Sequence, residues 1–264
     1  MRLDVLTSGI WQTNSTIVSA GSACVVIDPA YFPRELDAIA GRVAELGWGE
    51  AVVFTHGHWD HVMGHRVCPD APVHLNHLLA SAIERGEPRA AKYLDDAREF
   101  DSRWYVPRPE GHRWPAHVQP VAEGALELGG IAMRALELPG HSPDGLGLVI
   151  EDVLLVGDYL SPCEIPFVED AAAYRDTLIR LLAVLPTVRE VIPGHGPRLT
   201  RAEAIEIGRA DLAYLDRLLE ARDDAAALAV PWPRATEVVG MAEHHRENCA
   251  LQKAVRDRAR GPGA

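Results

Sequence analysis

The sequence predicts an α/β fold, a sandwich of two mixed β-sheets with helices outside. Short apolar, β-branched runs alternate with longer segments whose apolar residues recur at helical spacing. This rhythm of strands followed by helices occurs twice. No low-complexity linker divides the two halves, so the chain reads as one domain with enough length to bury a sizeable core. Residues 1–200 are expected to form the core, with an excursion over the pocket at 84–116. Helices within 201–264 are expected to complete the same domain.

The first strands are Thr16-Ile17-Val18 and Cys24 to Ile27, the latter ending at Asp28-Pro29. Pro33 opens a helix to about Leu46, because Leu36, Ile39, Ala40, Val43 and Leu46 share one face and Gly47 closes it. The strand Ala51 to Phe54 runs into Thr55-His56-Gly57-His58, a chemical motif at a strand end, where α/β folds gather their ligand sites. Pro72 to Leu75 reads as a strand, with a helix from near Asn76. The stretch 84–116 is irregular, broken by Pro88, Pro107, Pro109 and Pro115, with a helix at about 89–101. Strands follow near 117–121, 125–128, 131–138, 146–151 and 153–157, then a helix at 171–185 and a strand at 189–192. One long helix is expected over 202–227 and a last one over 234–259, with a fraying tail at 260–264.

Composition excludes several classes. The net charge of −12 argues against a broad phosphate-binding surface, so no nucleic-acid partner is expected. No apolar run reaches the roughly 18–20 residues of a membrane span, and no secretory h-region follows Met1. Cys24, Cys68, Cys163 and Cys249 are scattered and form no CxxC pair, which fits reduced thiols and a cytoplasmic location.

The chemistry is concentrated in His56-Gly57-His58-Trp59-Asp60-His61, three imidazoles and a carboxylate within six residues. Imidazole nitrogen and carboxylate oxygen are ligands that borderline divalent metals prefer. Three further segments place one such group after an apolar strand and a turn-forming residue: Leu138-Pro139-Gly140-His141, Val156-Gly157-Asp158 and Ile192-Pro193-Gly194-His195. Each alone is an ordinary strand-ending turn. Together with the first motif they make a coherent set of seven ligands, better suited to two neighbouring metals than to one.

This pattern, HxHxDH followed by separate His, Asp and His, resembles the metallo-β-lactamase-fold superfamily over about residues 14–196. The resemblance implies a four-layer αβ/βα sandwich and two divalent ions. His56, His58 and His141 would hold one, Asp60, His61 and His195 the other, and Asp158 would bridge them. Zinc suits these ligands, and iron or manganese binds comparable sites. Lactam-hydrolysing members usually lack the bridging aspartate, so Asp158 points to the glyoxalase-II-like branch and related hydrolases. Cys163 lies five residues further on and reads as a loop or core thiol.

The resemblance implies attack by a metal-activated hydroxide on the carbonyl of a thioester, ester or lactone, with Asp60 orienting the nucleophile and carrying a proton. The alternatives are a phosphodiesterase or a mononuclear iron oxygenase of the same fold, or a metal-binding protein without turnover. Tyr159 either offers a hydroxyl to the substrate or packs in the core, and His65 suits a supporting role. His74, His77, His117, His244 and His245 have no matching context, and at most one of the last two can face the cleft. A small molecule is the expected substrate, enclosed by Trp59, the 84–114 segment and the loop 161–167. Glutathione thioesters are not singled out, because Arg234, Arg246, Lys253 and Arg256 interleave with Glu237, Glu243, Glu247 and Asp257. Apolar residues of the last two helices, among them Leu215, Leu218, Val238 and Val239, either pack on the sandwich or form a homodimer.

Replacing Asp60 or Asp158 with alanine is expected to abolish turnover. Either variant retaining wild-type rates with full metal content would contradict the assignment.

Overall fold

The computed structural model describes residues 1–236 and 238–260, with side chains through Gln252. The first sheet begins as an antiparallel meander of β1 (Arg2–Thr7), β2 (Asn14–Ala20) and β3 (Ala23–Ile27). It continues in parallel through β4 (Trp48–Val53), β5 (Val73–Asn76) and β6 (Val118–Val121). The second sheet starts with four antiparallel strands, β7 (Gly124–Leu128), β8 (Ile131–Glu137), β9 (Leu146–Ile150) and β10 (Val153–Leu155). Strand β11 (Glu190–Ile192) adds in parallel to β10, and β12 (Leu199–Thr200) closes that edge antiparallel.

Side chains alternate across each strand, and this period of two builds three apolar layers. Val18, Val25, Ile27 and Val53 meet Leu128, Met133, Leu148 and Leu155 between the sheets. Ile17, Val26 and Val52 face the other way, against Leu36, Ile39 and Val43 of α1 (Pro33–Leu46) and Leu79 of α3 (His77–Glu84), which follows the short α2 (Trp59–Val62). On the far side, Leu136, Leu154 and Val191 pack on Leu178 and Leu181 of α5 (Ala171–Val184), which follows α4 (Pro88–Trp104). Leu215 and Leu218 of α6 (Arg201–Glu220) join them. Helix, sheet, sheet, helix is the expected four-layer sandwich. Among the described residues no helix is long and apolar enough to cross a membrane.

Several elements differ from the expectations. The helix expected over 202–227 breaks: α6 ends at Ala221, which is extended, and the Asp223 carboxylate caps a new helix, α7 (Asp224–Leu228), by accepting from Ala226 N at 2.8 Å. An acidic N-cap satisfies otherwise orphaned amides, so the chain restarts there. The last helix, α8 (Met241–Arg260), begins seven residues later than expected, after the Pro231 and Pro233 stretch. Val238 and Val239 therefore lie before it, with Val239 exposed. Within 84–116, α4 is longer than expected, and Trp104 and Tyr105 face solvent. Strands β1 and β12 have no counterpart among the expected elements. Tail residues 261–264, Glu237 and the side chains of Lys253, Arg256 and Asp257 lie outside the described residues.

Helix α8 helps to shape the cleft. The Asn248 side chain, fully buried, donates to Pro166 O at 2.7 Å and accepts from Val168 N at 3.0 Å. It also donates to Tyr214 Oη, which lies 2.9 Å from His245 Nδ1. One buried amide thereby ties α6, α8 and the loop 161–168 together.

Candidate metal centre

All seven expected ligands come together where strand ends of both sheets meet. His56 and His58 follow β4, Asp60 and His61 lie in α2, His141 follows β8, Asp158 follows β10 and His195 follows β11. They form two groups, His56, His58, His141 and Asp158 in one, and Asp60, His61 and His195 in the other. In each group the ligand atoms lie within 4.8 Å of one another. Asp158 lies between the groups, with Oδ2 3.1 Å from His141 Nε2 and 3.5 Å from His56 Nε2, and Oδ1 3.2 Å from His61 Nε2.

Two glycines make this approach possible. A Cβ on Gly194 would stand 2.2 Å from Asp158 Oδ1, and one on Gly140, at φ +127°, would stand 2.2 Å from Tyr174 N. Asn14 joins the two sheets beneath the site, donating to Pro193 O at 2.9 Å and Gly196 O at 2.6 Å. Trp11 and Asp28 hold left-handed backbone at φ 45° and 48°. Such strain costs about 1–3 kcal/mol per residue and persists only where the surroundings impose it.

Each imidazole aims one nitrogen at the centre, and in four of the five the protein holds the outer nitrogen by a hydrogen bond. Nδ1 of His61 donates to Asp28 Oδ2 at 3.0 Å, that of His141 to Phe167 O at 3.0 Å and that of His195 to Trp11 O at 3.0 Å. The Thr55 hydroxyl donates to Asp28 Oδ2 at 2.5 Å, so it accepts from His56 Nδ1 at 3.1 Å. His58 turns Nε2 towards Glu169, 3.6 Å away, and keeps Nδ1 inside. The inner nitrogens crowd together: His141 Nε2 is 2.8 Å from His58 Nδ1 and 3.1 Å from His56 Nε2, and His61 and His195 Nε2 are 3.4 Å apart. Nitrogen lone pairs at such distances repel unless a cation sits among them. Asp158 Oδ1 is also buried without a hydrogen-bond donor. The donor set therefore fits divalent metal ions, and the anchored outer nitrogens are the supports that metal-binding histidines usually have.

The electrostatics agree. Burial opposes charge on His195, yet Asp158, Glu164 and Asp60 raise its pKa to about 10. Burial likewise opposes charge on His61, and Asp60, Asp158 and Asp28 push it well above its ordinary value. Burial and then the neighbouring His141 and His56 hold His58 well below its own. Burial raises the Asp158 carboxyl, but the surrounding histidines, His195 and His61 foremost, bring it well below the usual range. The centre attracts positive charge and keeps its carboxylates ionised.

The remaining expected residues fall into place around it. Tyr159 does not face the cleft: its ring is buried, and its hydroxyl donates to Pro139 O at 2.7 Å and accepts from His141 N at 3.1 Å. Those bonds occupy the hydroxyl, so Tyr159 positions His141 rather than touching substrate. Cys163 is a buried thiol 3.4 Å from Ser161 Oγ, outside both groups. His65 also lies outside them. Of the C-terminal pair, His244 lines the cleft and His245 is buried against Tyr214. Sequence reasoning missed Asp28, Thr13 and Thr55. The Thr13 hydroxyl bonds Asp60 Oδ2 at 3.2 Å, and Asp28 follows β3 as Asp158 follows β10, the one signal that pointed to it.

Above the centre opens a cavity of about 1010 Å³. Trp11, Trp59, Ile165, Phe167, Met241 and Leu251 give it apolar walls, and His58, Asp60, His141, Asp158 and His195 reach its floor. Replacing Asp28 with alanine is expected to weaken metal binding by about 10- to 100-fold, because His61 and Thr55 lose a shared anchor. Calorimetric metal titration checks this, and unchanged affinity would contradict it.

Comparisons with known proteins agree with this geometry. The metallo-beta-lactamase superfamily profile matches residues 8–195, which include all seven ligands. An atrochrysone carboxyl ACP thioesterase of Aspergillus chevalieri is 30% identical over 63% of this chain and 46% of its own. The atrochrysone carboxyl ACP thioesterase AgnL7 of Paecilomyces divaricatus is 29% identical over 83% of this chain and 64% of its own. The chain thus spans about half to two-thirds of the length of these relatives. A metallo-beta-lactamase family protein from Thermus thermophilus, 21% identical, shares the fold, with a TM-score of 0.68 over 99% of this chain and 96% of that one. On its sequence and its fold alike, the chain belongs to the metallo-beta-lactamase superfamily.

Proposed function

We propose that this protein is a dinuclear metal-dependent hydrolase of thioesters. The observation that carries the reading is the convergence of five imidazoles on Asp158, whose carboxylate reaches both ligand groups, Oδ1 near His61 and Oδ2 near His141 and His195. When bound, two divalent ions at such a site bring the pKa of water towards neutrality and polarise a carbonyl oxygen. His56, His58 and His141 would hold one ion and Asp60, His61 and His195 the other, with Asp158 shared.

The chain's own residues supply the rest. Thr13 holds Oδ2 of Asp60, which keeps this carboxylate at the cavity floor to accept a proton and pass it towards the leaving thiol. Tyr159 fixes the backbone at His141, and Phe167 O fixes the ring. Trp59 stacks on Phe100 with ring centroids 4.4 Å apart and meets Trp11 edge to face at 5.3 Å. These aromatic contacts make a firm apolar wall for an acyl group and keep water from it. The choice of thioester over lactone or phosphodiester is supported by the relatives named for acyl-carrier thioester cleavage and by the size and apolarity of the cavity.

The test is a panel of thioester, lactone and phosphodiester substrates with purified, metal-loaded protein. The expected result is a kcat/KM for thioesters well above the others. A phosphodiester or lactone turned over faster would overturn the substrate class, and dioxygen consumption by an iron-loaded form would overturn the hydrolase reading.

A further inference from the structure

The cavity has a wall that the metal chemistry leaves unused. From α4, Arg89 and Lys92 both line it, three residues apart and so on neighbouring turns of one helix face. Arg89 is half-buried and, among the described residues, makes no hydrogen bond or ion pair. Exposed arginines such as Arg34 and Arg134 also lack a partner, but among the described half-buried arginines Arg89 stands apart. Arg42, Arg66, Arg108, Arg175 and Arg234 each meet a carboxylate. Lys92 is exposed and touches Asp96 at 2.5 Å, which leaves further ammonium protons to offer.

The position of this pair is informative. Burial raises the Glu169 carboxyl, and His141, Arg89, His56 and Lys92 pull it back, so both cations lie near the side of the cleft where Glu169 approaches His58. Even so, Glu169 forms no ion pair with either. A chain of net charge −12 offers many carboxylates, yet the guanidinium inside the cavity has none against it. A partly buried cation costs desolvation energy unless an anion meets it. A guanidinium also offers a planar pair of donors that matches two phosphate oxygens at once. A cavity of about 1010 Å³ is large enough for both halves of a thioester.

We propose that Arg89, backed by Lys92, binds a phosphate on the thiol half of the substrate. The preferred substrate is then an acyl thioester of a phosphate-bearing pantetheine arm. This rests on the thioester reading above and extends it to the leaving group. Coenzyme A, the free phosphorylated arm and an acyl carrier protein all carry this chemistry. The acyl half lies against Phe167, Ile165 and Met241.

The experiment compares four thioesters of one acyl group on metal-loaded protein: pantetheine, pantetheine 4′-phosphate, coenzyme A and acyl carrier protein. S-acylglutathione, which bears carboxylates instead, is a fifth arm. For the wild type the phosphate is expected to raise kcat/KM by about 10- to 100-fold, the usual effect of a charge-assisted hydrogen-bond pair. Arg89→Ala is expected to remove that advantage and Arg89→Lys to restore part of it. Arg98→Ala, exposed on the same helix outside the cavity, should keep it. Preference among the phosphorylated arms identifies the source of the phosphate.

Calorimetry with the free arm, pantetheine 4′-phosphate, reads the same site without turnover. Thioester cleavage indifferent to the phosphate, or to Arg89, would overturn the proposal while leaving the thioester reading intact. Arg89-dependent binding of the free phosphorylated arm by a protein that cleaves no thioester would uphold the anion site and overturn the thioester reading. Absence of both binding and discrimination overturns the proposal.

Discussion

The structure depends on electrostatic crowding that only positive charge relieves. Five imidazoles and two carboxylates, almost all buried, converge on a small volume, with inner nitrogens as close as 2.8 Å. Burying that many polar groups without a partner is costly. The protein imposes the arrangement by fixing the outer side of four of the rings with a carbonyl, a carboxylate or a hydroxyl. Asp28 is central to this: its carboxylate accepts from Thr55 N, the Thr55 hydroxyl and His61, so one side chain supports two ligands from different places in the motif.

The fold exists to bring such groups together. Each ligand is carried on a short segment after a strand or in the small α2, and the two sheets face each other so that these ends form one floor. Asn14 reaches from β2 to the turn bearing His195, and Gly194 leaves room for Asp158 beside it. The cleft above is assembled from elements distant in sequence: Trp11 before β2, α4, the loop 161–168 and α8. The buried amide of Asn248 couples the last two.

Much of this was legible in the sequence because the relevant signals are local. The run His56 to His61 and the three strand-turn-ligand segments carry the centre within a few residues each. Strands such as Val25 to Ile27 announce themselves by β-branched apolar residues. The failures share a cause. The break between α6 and α7 depends on a single cap, Asp223, inside a segment of good helix formers. Strand β12 is two residues long, too short for any period. Tyr159 follows a ligand in sequence, yet the direction of its hydroxyl is set by the Pro139 carbonyl across the fold. The supporting residues Asp28 and Thr13 act through pairings 33 and 47 positions apart, which no local pattern encodes. The cleft wall does come from the expected segments 84–114 and 161–167, through Arg89, Tyr93 and Phe167. Which side chains turn inward is tertiary, however: Trp104 and Tyr105 of the first segment face solvent.

The central claim is that the seven residues form one centre with room for two metal ions, divided by Asp158. Metal stoichiometry at saturation, measured by mass spectrometry of the intact protein under native conditions, tests it most directly. The account predicts two divalent ions per wild-type chain. A wild-type chain that saturates at a single ion while fully active would contradict it.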